Sequence, residues 1–194
     1  MFTDKSLSCG GFYELAIQVC ASIDNEPIIA YTNHIWSLAN VNGPFDDEFN
    51  RINVNIETFS HRGIIRLSEY EIPFMTYNVR ETYPIETGFN WFDICFYSAA
   101  IEHIFSEEYQ TWTAKPKVPK EVSELFTRTM KDLYKIYPFK LAMTDFEISG
   151  RYYLDDLQNP LGNNWESSTF FVGEANFGQI AKENQRIVTK IEEL

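Results

Sequence analysis

Apolar and polar positions alternate from Phe12 to Val19, with Tyr13, Leu15, Ile17 and Val19 on one side and Phe12, Glu14, Ala16 and Gln18 on the other. A period of two predicts a strand with one face turned to a core. The period then changes. Ile28, Tyr31, Ile35 and Leu38 recur at helical spacing, Asp24 or Asn25 stands where a helix is capped, and Glu26 with Pro27 suits a first turn. The pattern predicts a helix from Asn25 to Val41, stopped by Asn42, Gly43 and Pro44.

Alternation returns in the middle of the chain. Ile52 to Phe59, Gly63 to Leu67, Ile72 to Arg80 and Trp91 to Tyr97 each read as strands, and their short links predict an antiparallel meander. Ala99 to Tyr109 reads as a short helix leaving the sheet. Thr113 to Lys120, with Pro116, Pro119 and three lysines, reads as a mobile connection inside one domain. Val122, Leu125, Phe126, Thr129, Leu133 and Ile136 then form one apolar stripe, with Glu121 and Glu124 early and Lys131 and Lys135 late. That charge order complements the helix dipole and predicts a helix over Lys120 to Ile136.

Phe139 to Ser149 alternates again and closes at Gly150. Beyond it, Asp155 to Asn164 is loop-like, Thr169 to Val172 reads as a strand, and Ile180 to Leu194 fits a terminal helix or a strand pair. The expected fold is α+β: a mainly antiparallel sheet with two principal helices, Asn25 to Val41 and Lys120 to Ile136, packed on one face. Residues 1–194 form a single domain in this reading, which suits a chain of 194 residues.

Composition narrows the class. The 16 Phe, 11 Tyr and 4 Trp supply area for a core without disulfides or metals. Cys9, Cys20 and Cys95 are far apart and in no paired spacing, so a reducing compartment is expected. The first residues lack the basic and apolar parts of a secretory signal, and no stretch nears the roughly 20 apolar residues needed to span a bilayer. The expectation is a cytoplasmic protein without a membrane partner.

Charge narrows it further, since 28 acidic side chains against 16 basic ones give a formal net charge of −12. Such a surface repels nucleic acid and anionic lipid and suits a basic protein partner. Residues 1–50 hold seven acids and one base, Lys5, so half of the net charge lies in the first quarter of the chain.

No catalytic or cofactor motif stands out. His34, His61 and His103 have no nucleophile elbow or short-spaced ligand near them, and Cys95 lies inside the aromatic segment Trp91 to Tyr97, where a buried inert thiol is ordinary. Gly10-Gly11 precedes a strand, and Gly173 to Gly178 lacks the Lys-Ser/Thr pair of a phosphate loop. No cofactor and no metal is expected.

Carboxylates on strands are the one constellation left. Glu14, Asp93, Asp145 and Glu147 each interrupt an apolar or aromatic segment, and Asp145 and Glu147 share a face if their strand is regular. If all four lie opposite the helices, one sheet face is acidic and lined by Phe12, Trp91 and Tyr97. Three readings follow: polar positions on an open sheet face, a docking surface for a basic protein, or a carboxylate pair running acid/base chemistry in a pocket. The binding candidates are therefore Glu14, Asp93, Asp145, Glu147, Trp91 and Tyr97.

The segments Gly11 to Ile17, Ile35-Trp36-Ser37 through Gly43-Pro44-Phe45, Trp91-Phe92-Asp93, and Pro138 to Leu141 through Phe146 to Gly150 resemble a group of uncharacterised bacterial proteins of similar length. The resemblance covers about the first 150 residues, implies a bacterial cytoplasmic setting, and assigns no activity. The leading expectation is a non-enzymatic protein-binding domain, an immunity or antitoxin-like inhibitor of a basic partner. The alternative is a small hydrolase or ligand-binding enzyme with carboxylates in a sheet-face pocket.

Overall fold

In the computed structural model the described residues are 7–81, 88–106, 109, 117–161 and 168–193. The chain runs β1 (Phe12–Ala21), α1 (Glu26–Ser37), β2 (Val41–Phe45), β3 (Ser60–Leu67), β4 (Tyr70–Arg80), β5 (Phe89–Tyr97), α2 (Ser98–Phe105), α3 (Lys120–Ile136), β6 (Leu141–Phe146), β7 (Thr169–Val172), α4 (Glu174–Phe177) and β8 (Val188–Lys190). This is an α+β architecture. One eight-stranded sheet has the order β2-β3-β4-β5-β1-β6-β7-β8, and every pairing is antiparallel except that of β7 with β8.

The strand read first in the sequence becomes the centre of the sheet, and it is buried on both faces rather than one. Register explains how. Leu15 stands opposite Ile94 and Thr144, whereas Ala16 stands opposite Asp93 and Met143. Directly opposed residues share a face, so the sheet sorts its side chains into two cores. Leu15, Ile17, Phe92 and Phe96 join Tyr31 of α1, Ile101 of α2 and Phe126 of α3 in the first. Ala16, Trp91, Met143 and Phe170 join Leu154, Leu157 and Ile180 in the second. The C-terminal segment is thus a cover for half of the sheet.

α3 and β7 occupy the spans their patterns predict. Other elements differ. α1 ends at Ser37 because Leu38 turns extended and donates its amide to Ile35 O, and the chain then enters β2. That strand tolerates Gly43 and Pro44 because it lies at the edge of the sheet. Residues 52–59 form no strand. Their alternation arises because Val54 and Ile56 pack on the first core, while β2 holds the ladder position beside β3.

β6 stops at Phe146, since Glu147 adopts φ 52, so the expected alternation through Ser149 fails. The loop expected after Asp155 contains a 3-10 helix, Leu154–Gln158, and its residues 162–164 lie outside the described residues. The terminal segment is neither a helix nor a strand pair but 3-10 turns around β8. α2 covers Ser98–Phe105, and residues 113–116 of the expected connection lie outside the described residues. Among the described residues no helix is long and apolar enough to cross a membrane.

Candidate functional site

Strand pairing brings three of the four candidate carboxylates together. Glu14 stands opposite Cys95 on β5 and Asp145 on β6, and Asp93 stands one pleat along, opposite Ala16 and Tyr77. They lie on the face of the second core, but they are not open to solvent. Glu14, Asp93 and Asp145 are 4, 2 and 6 % exposed, and Trp91 is 2 % exposed. Tyr97 is half-buried and Glu147 is exposed.

The turn after β6 does the covering. Glu147 donates its amide to Phe12 O at 2.9 Å and takes back the Phe12 amide on Oε1 at 2.7 Å. Ile148 then inserts into the second core. Ser149 spans the two buried acids, its amide donating to Glu14 Oε1 and its hydroxyl to Asp93 Oδ2, both at 2.6 Å. The Cys95 thiol donates to Glu14 Oε2 at 3.4 Å. Asp145 accepts from the Ser168 hydroxyl at 2.7 Å and from the Phe146 amide at 2.7 Å.

Two further points fasten the cover. The Leu154 amide donates to Gln18 Oε1 at 2.9 Å. Glu81 Oε1 accepts from the Trp91 indole at 2.9 Å and from the Tyr153 hydroxyl at 2.6 Å, with the two rings edge to face. Trp91 is therefore a buried anchor for Tyr153.

Burial sets the electrostatics. It pushes the Asp93 carboxyl up to about 7, and the neighbouring Glu14 charge adds to the rise while the Ser149 hydroxyl opposes it. Asp93 Oδ1 has no hydrogen-bond partner, and the nearby Ile17 amide adds a smaller effect opposing the rise. Burial likewise raises Glu14, helped by the Glu147 charge and opposed by the Ser149 amide. The Cys95 thiol is held well above its usual value by burial and then by the charges of Asp93 and Glu14, so it is no nucleophile.

Because Ser149 favours the charged form of Asp93, Ser149→Ala is expected to move the Asp93 titration upward. It should also destabilise the fold by about 1–2 kcal/mol near neutral pH. Carboxyl-resonance NMR titration checks the first expectation, and an unmoved Asp93 midpoint would show that the hydroxyl plays no such part.

The residues of the second core do not extend over the other half of this sheet face, where Ser8 lines a pocket beside Tyr97. There the rings of Phe59, Tyr77, Phe12 and Tyr97 form a row, with successive centroids 5.2, 5.9 and 4.9 Å apart. Phe59 is 61 % exposed, and Phe12, Tyr77 and Tyr97 are half-buried. Beneath them Met75 Sδ accepts from the Tyr97 hydroxyl at 2.7 Å and from that of Tyr77 at 3.5 Å. Past Tyr97 the face continues to Phe45 and Phe49, at the loop that carries Asp46, Asp47 and Glu48.

Chemically, the two halves differ. The principal cavities are lined by residues such as Arg66, Tyr70 and His103, by Phe45, Ile64 and Tyr97, by Asn40 and Val41, or by Thr127 and Lys131, and none by Glu14, Asp93 or Asp145. The carboxylates converge, and among the described residues they are buried rather than set in one of these cavities. Among the described residues no group of three or more His, Cys, Asp or Glu is placed to hold a metal.

Phe59, Tyr77, Phe45, Phe49, Glu81 and Ser149 were not singled out by sequence reasoning. A signal for Tyr77 existed in the alternation of Ile72 to Arg80, which turns it away from the first core. None existed for Ser149, whose role depends on a turn closing onto β1 and β5. Comparison of the chain with protein-family models, with curated proteins and with solved structures gives no match.

Proposed function

We propose that this chain is a non-enzymatic protein-binding domain, an immunity or antitoxin-like inhibitor that docks a basic partner on the uncovered half of its sheet. In this reading α1 and α3 are the two principal helices that close one face, the C-terminal cover closes half of the other, and β3, β4 and the end of β5 remain for binding. One observation carries it: the contiguous row of exposed and half-buried rings from Phe59 to Tyr97, running toward the acidic loop at Asp46 to Glu48.

An exposed apolar patch of this kind marks an interaction site more often than chance, and Tyr and Trp dominate the energetics of such sites. Charge selects the class of partner. Aromatic rings on a sheet also stack on nucleic-acid bases, but a chain with net charge −12 has no field to hold a phosphate backbone. A cationic protein gains both steering and anchoring. The hydrolase alternative would need access to Glu14 and Asp93, and their low exposure favours the docking reading.

The test is capture from the native host at low and then high salt, followed by purification of the retained protein. A basic protein should be retained at low salt, and its purified form should bind Phe59→Ala and Tyr97→Ala at least about tenfold more weakly. Retention that ignores both substitutions, or no basic protein at low salt, rejects the docking face.

A further inference from the structure

At the end of the aromatic row lies a narrow slot lined by Phe45, Phe49, Ile64, Pro73 and Tyr97 together with the polar Ser8 and Arg62. Its free volume, about 40 Å³, is about three times the roughly 10–15 Å³ that a cavity needs to hold one water. It is far below the roughly 300–1,000 Å³ of a small-molecule site. The space fits the end of one side chain.

The wall at Phe49 is held in place by its own loop. Asp46 Oδ1 accepts the amides of Glu48 at 3.0 Å and Asn50 at 2.8 Å, and Asp46 Oδ2 accepts the Asn50 side chain at 3.1 Å. The Phe49 amide donates to Asp46 O at 3.1 Å, and Phe49 sits at φ 64, a conformation disfavoured for a bulky residue. The result is a ring 38 % exposed, 6.4 Å from Phe45 between centroids, poised over apolar space instead of packed into it.

Charge at the rim specifies the neighbours of any side chain that enters. Asp47 is 77 % exposed in its side chain, and Glu48 is exposed beside it. Arg62, which lines the slot, is paired with Asp47 at 2.5 Å, and Arg51 donates to Gly43 O at 3.0 and 3.2 Å. An anionic occupant would meet the carboxylates of this loop, whereas a cationic flank would pair with Glu48 and share Asp47 with Arg62.

We propose that the slot takes one aliphatic side chain of the basic partner, flanked in that partner by Lys or Arg residues that meet Asp47 and Glu48. This rests on the docking reading above and adds its anchor. Phe49 and the acidic residues before it then form one recognition element. The ring supplies the wall of the pocket, and the carboxylates select what surrounds the inserted side chain.

The test uses two synthetic peptides, Lys-Arg-Leu-Arg-Lys and Lys-Arg-Ser-Arg-Lys, titrated at low salt while the Ile64 methyl and Phe49 ring signals are followed by NMR. The leucine peptide should bind about tenfold more tightly and shift both sets of signals. Ile64→Phe, which fills the slot, and Phe49→Ala, which removes its wall, should each erase that preference while leaving the serine peptide's affinity within about twofold. Equal affinities with Ile64 unmoved would overturn the slot and leave docking standing. If neither peptide binds, the slot and the docking reading fail together.

Discussion

Asp93→Asn is expected to stabilise the protein at pH 8 and to remove most of the loss of stability that the parent suffers between pH 4 and pH 8. The folded carboxyl titrates at about 7 against an ordinary value of 3.8, so between those values the folded state binds more protons than the unfolded chain. Stability from this group is complete below about pH 4 and declines as pH rises through 7. The shift corresponds to a penalty on the order of 4 kcal/mol above pH 7. Glu14, also raised by burial, adds to the same trend.

Asparagine removes the charge, keeps an acceptor for the Ser149 hydroxyl, and puts an amide NH2 without an acceptor where Oδ1 stood, which costs about 1–3 kcal/mol. The variant should therefore be less stable than the parent by about 2 kcal/mol at pH 4, where the parent carboxyl is neutral, and more stable by about 2 kcal/mol at pH 8. Urea denaturation at both pH values measures the difference. A gap that stays constant with pH would mean that Asp93 is not the buried, proton-holding group its surroundings make it.

Gly63→Ala should be the most damaging one-carbon change in the sheet. Gly63 lies on β3, where an added Cβ would come within 2.5 Å of the Trp36 ring and 2.7 Å of the Asn42 carbonyl oxygen. Neither neighbour gives way easily. Trp36 donates its indole N–H to Thr76 Oγ1 at 3.2 Å and stacks on Phe74 at 5.1 Å, and Asn42 is backbone of the paired strand β2. Overpacking of this kind costs about 2–3 kcal/mol, which lowers the melting temperature by roughly 5–10 °C in a chain of this length. In a Trp36→Leu background the same substitution should cost less than half as much. Equal costs in the two backgrounds would place the strain elsewhere.

Some of the fold could be read from residue spacing, and the reason is specific to each element. α3 was legible because its apolar stripe and its charge order agree, and both are local properties. α1 overran because Leu38 sits at helical spacing, yet it is extended and already part of the turn into β2. Residues 52–59 alternate because Val54 and Ile56 reach the core from an irregular segment, and periodicity reports which side a residue faces, not whether its backbone joins a ladder.

The candidate site is less legible. That Glu14, Asp93 and Asp145 lie on one face depends on the register of β1 with β5 and β6, which alternation within single strands leaves open. That they are sealed depends on Ile148, Leu154, Leu157 and Ile180, which come from turns without a period. The alternation puts Glu147 beside Asp145, but the strand ends at Phe146. The aromatic row is assembled from β1, β4, β5 and the segment before β3, so no local window contains it.

The most direct test of the account compares three forms of the chain for affinity to the purified basic protein retained at low salt: the parent, Tyr97→Ala and Asp93→Asn. If binding belongs to the open aromatic half of the sheet and the buried acids serve the fold, Tyr97→Ala loses at least about tenfold in affinity. Asp93→Asn then stays within about twofold of the parent. The opposite pattern, with binding lost in Asp93→Asn and kept in Tyr97→Ala, would contradict the account and return the carboxylate cluster to the binding site.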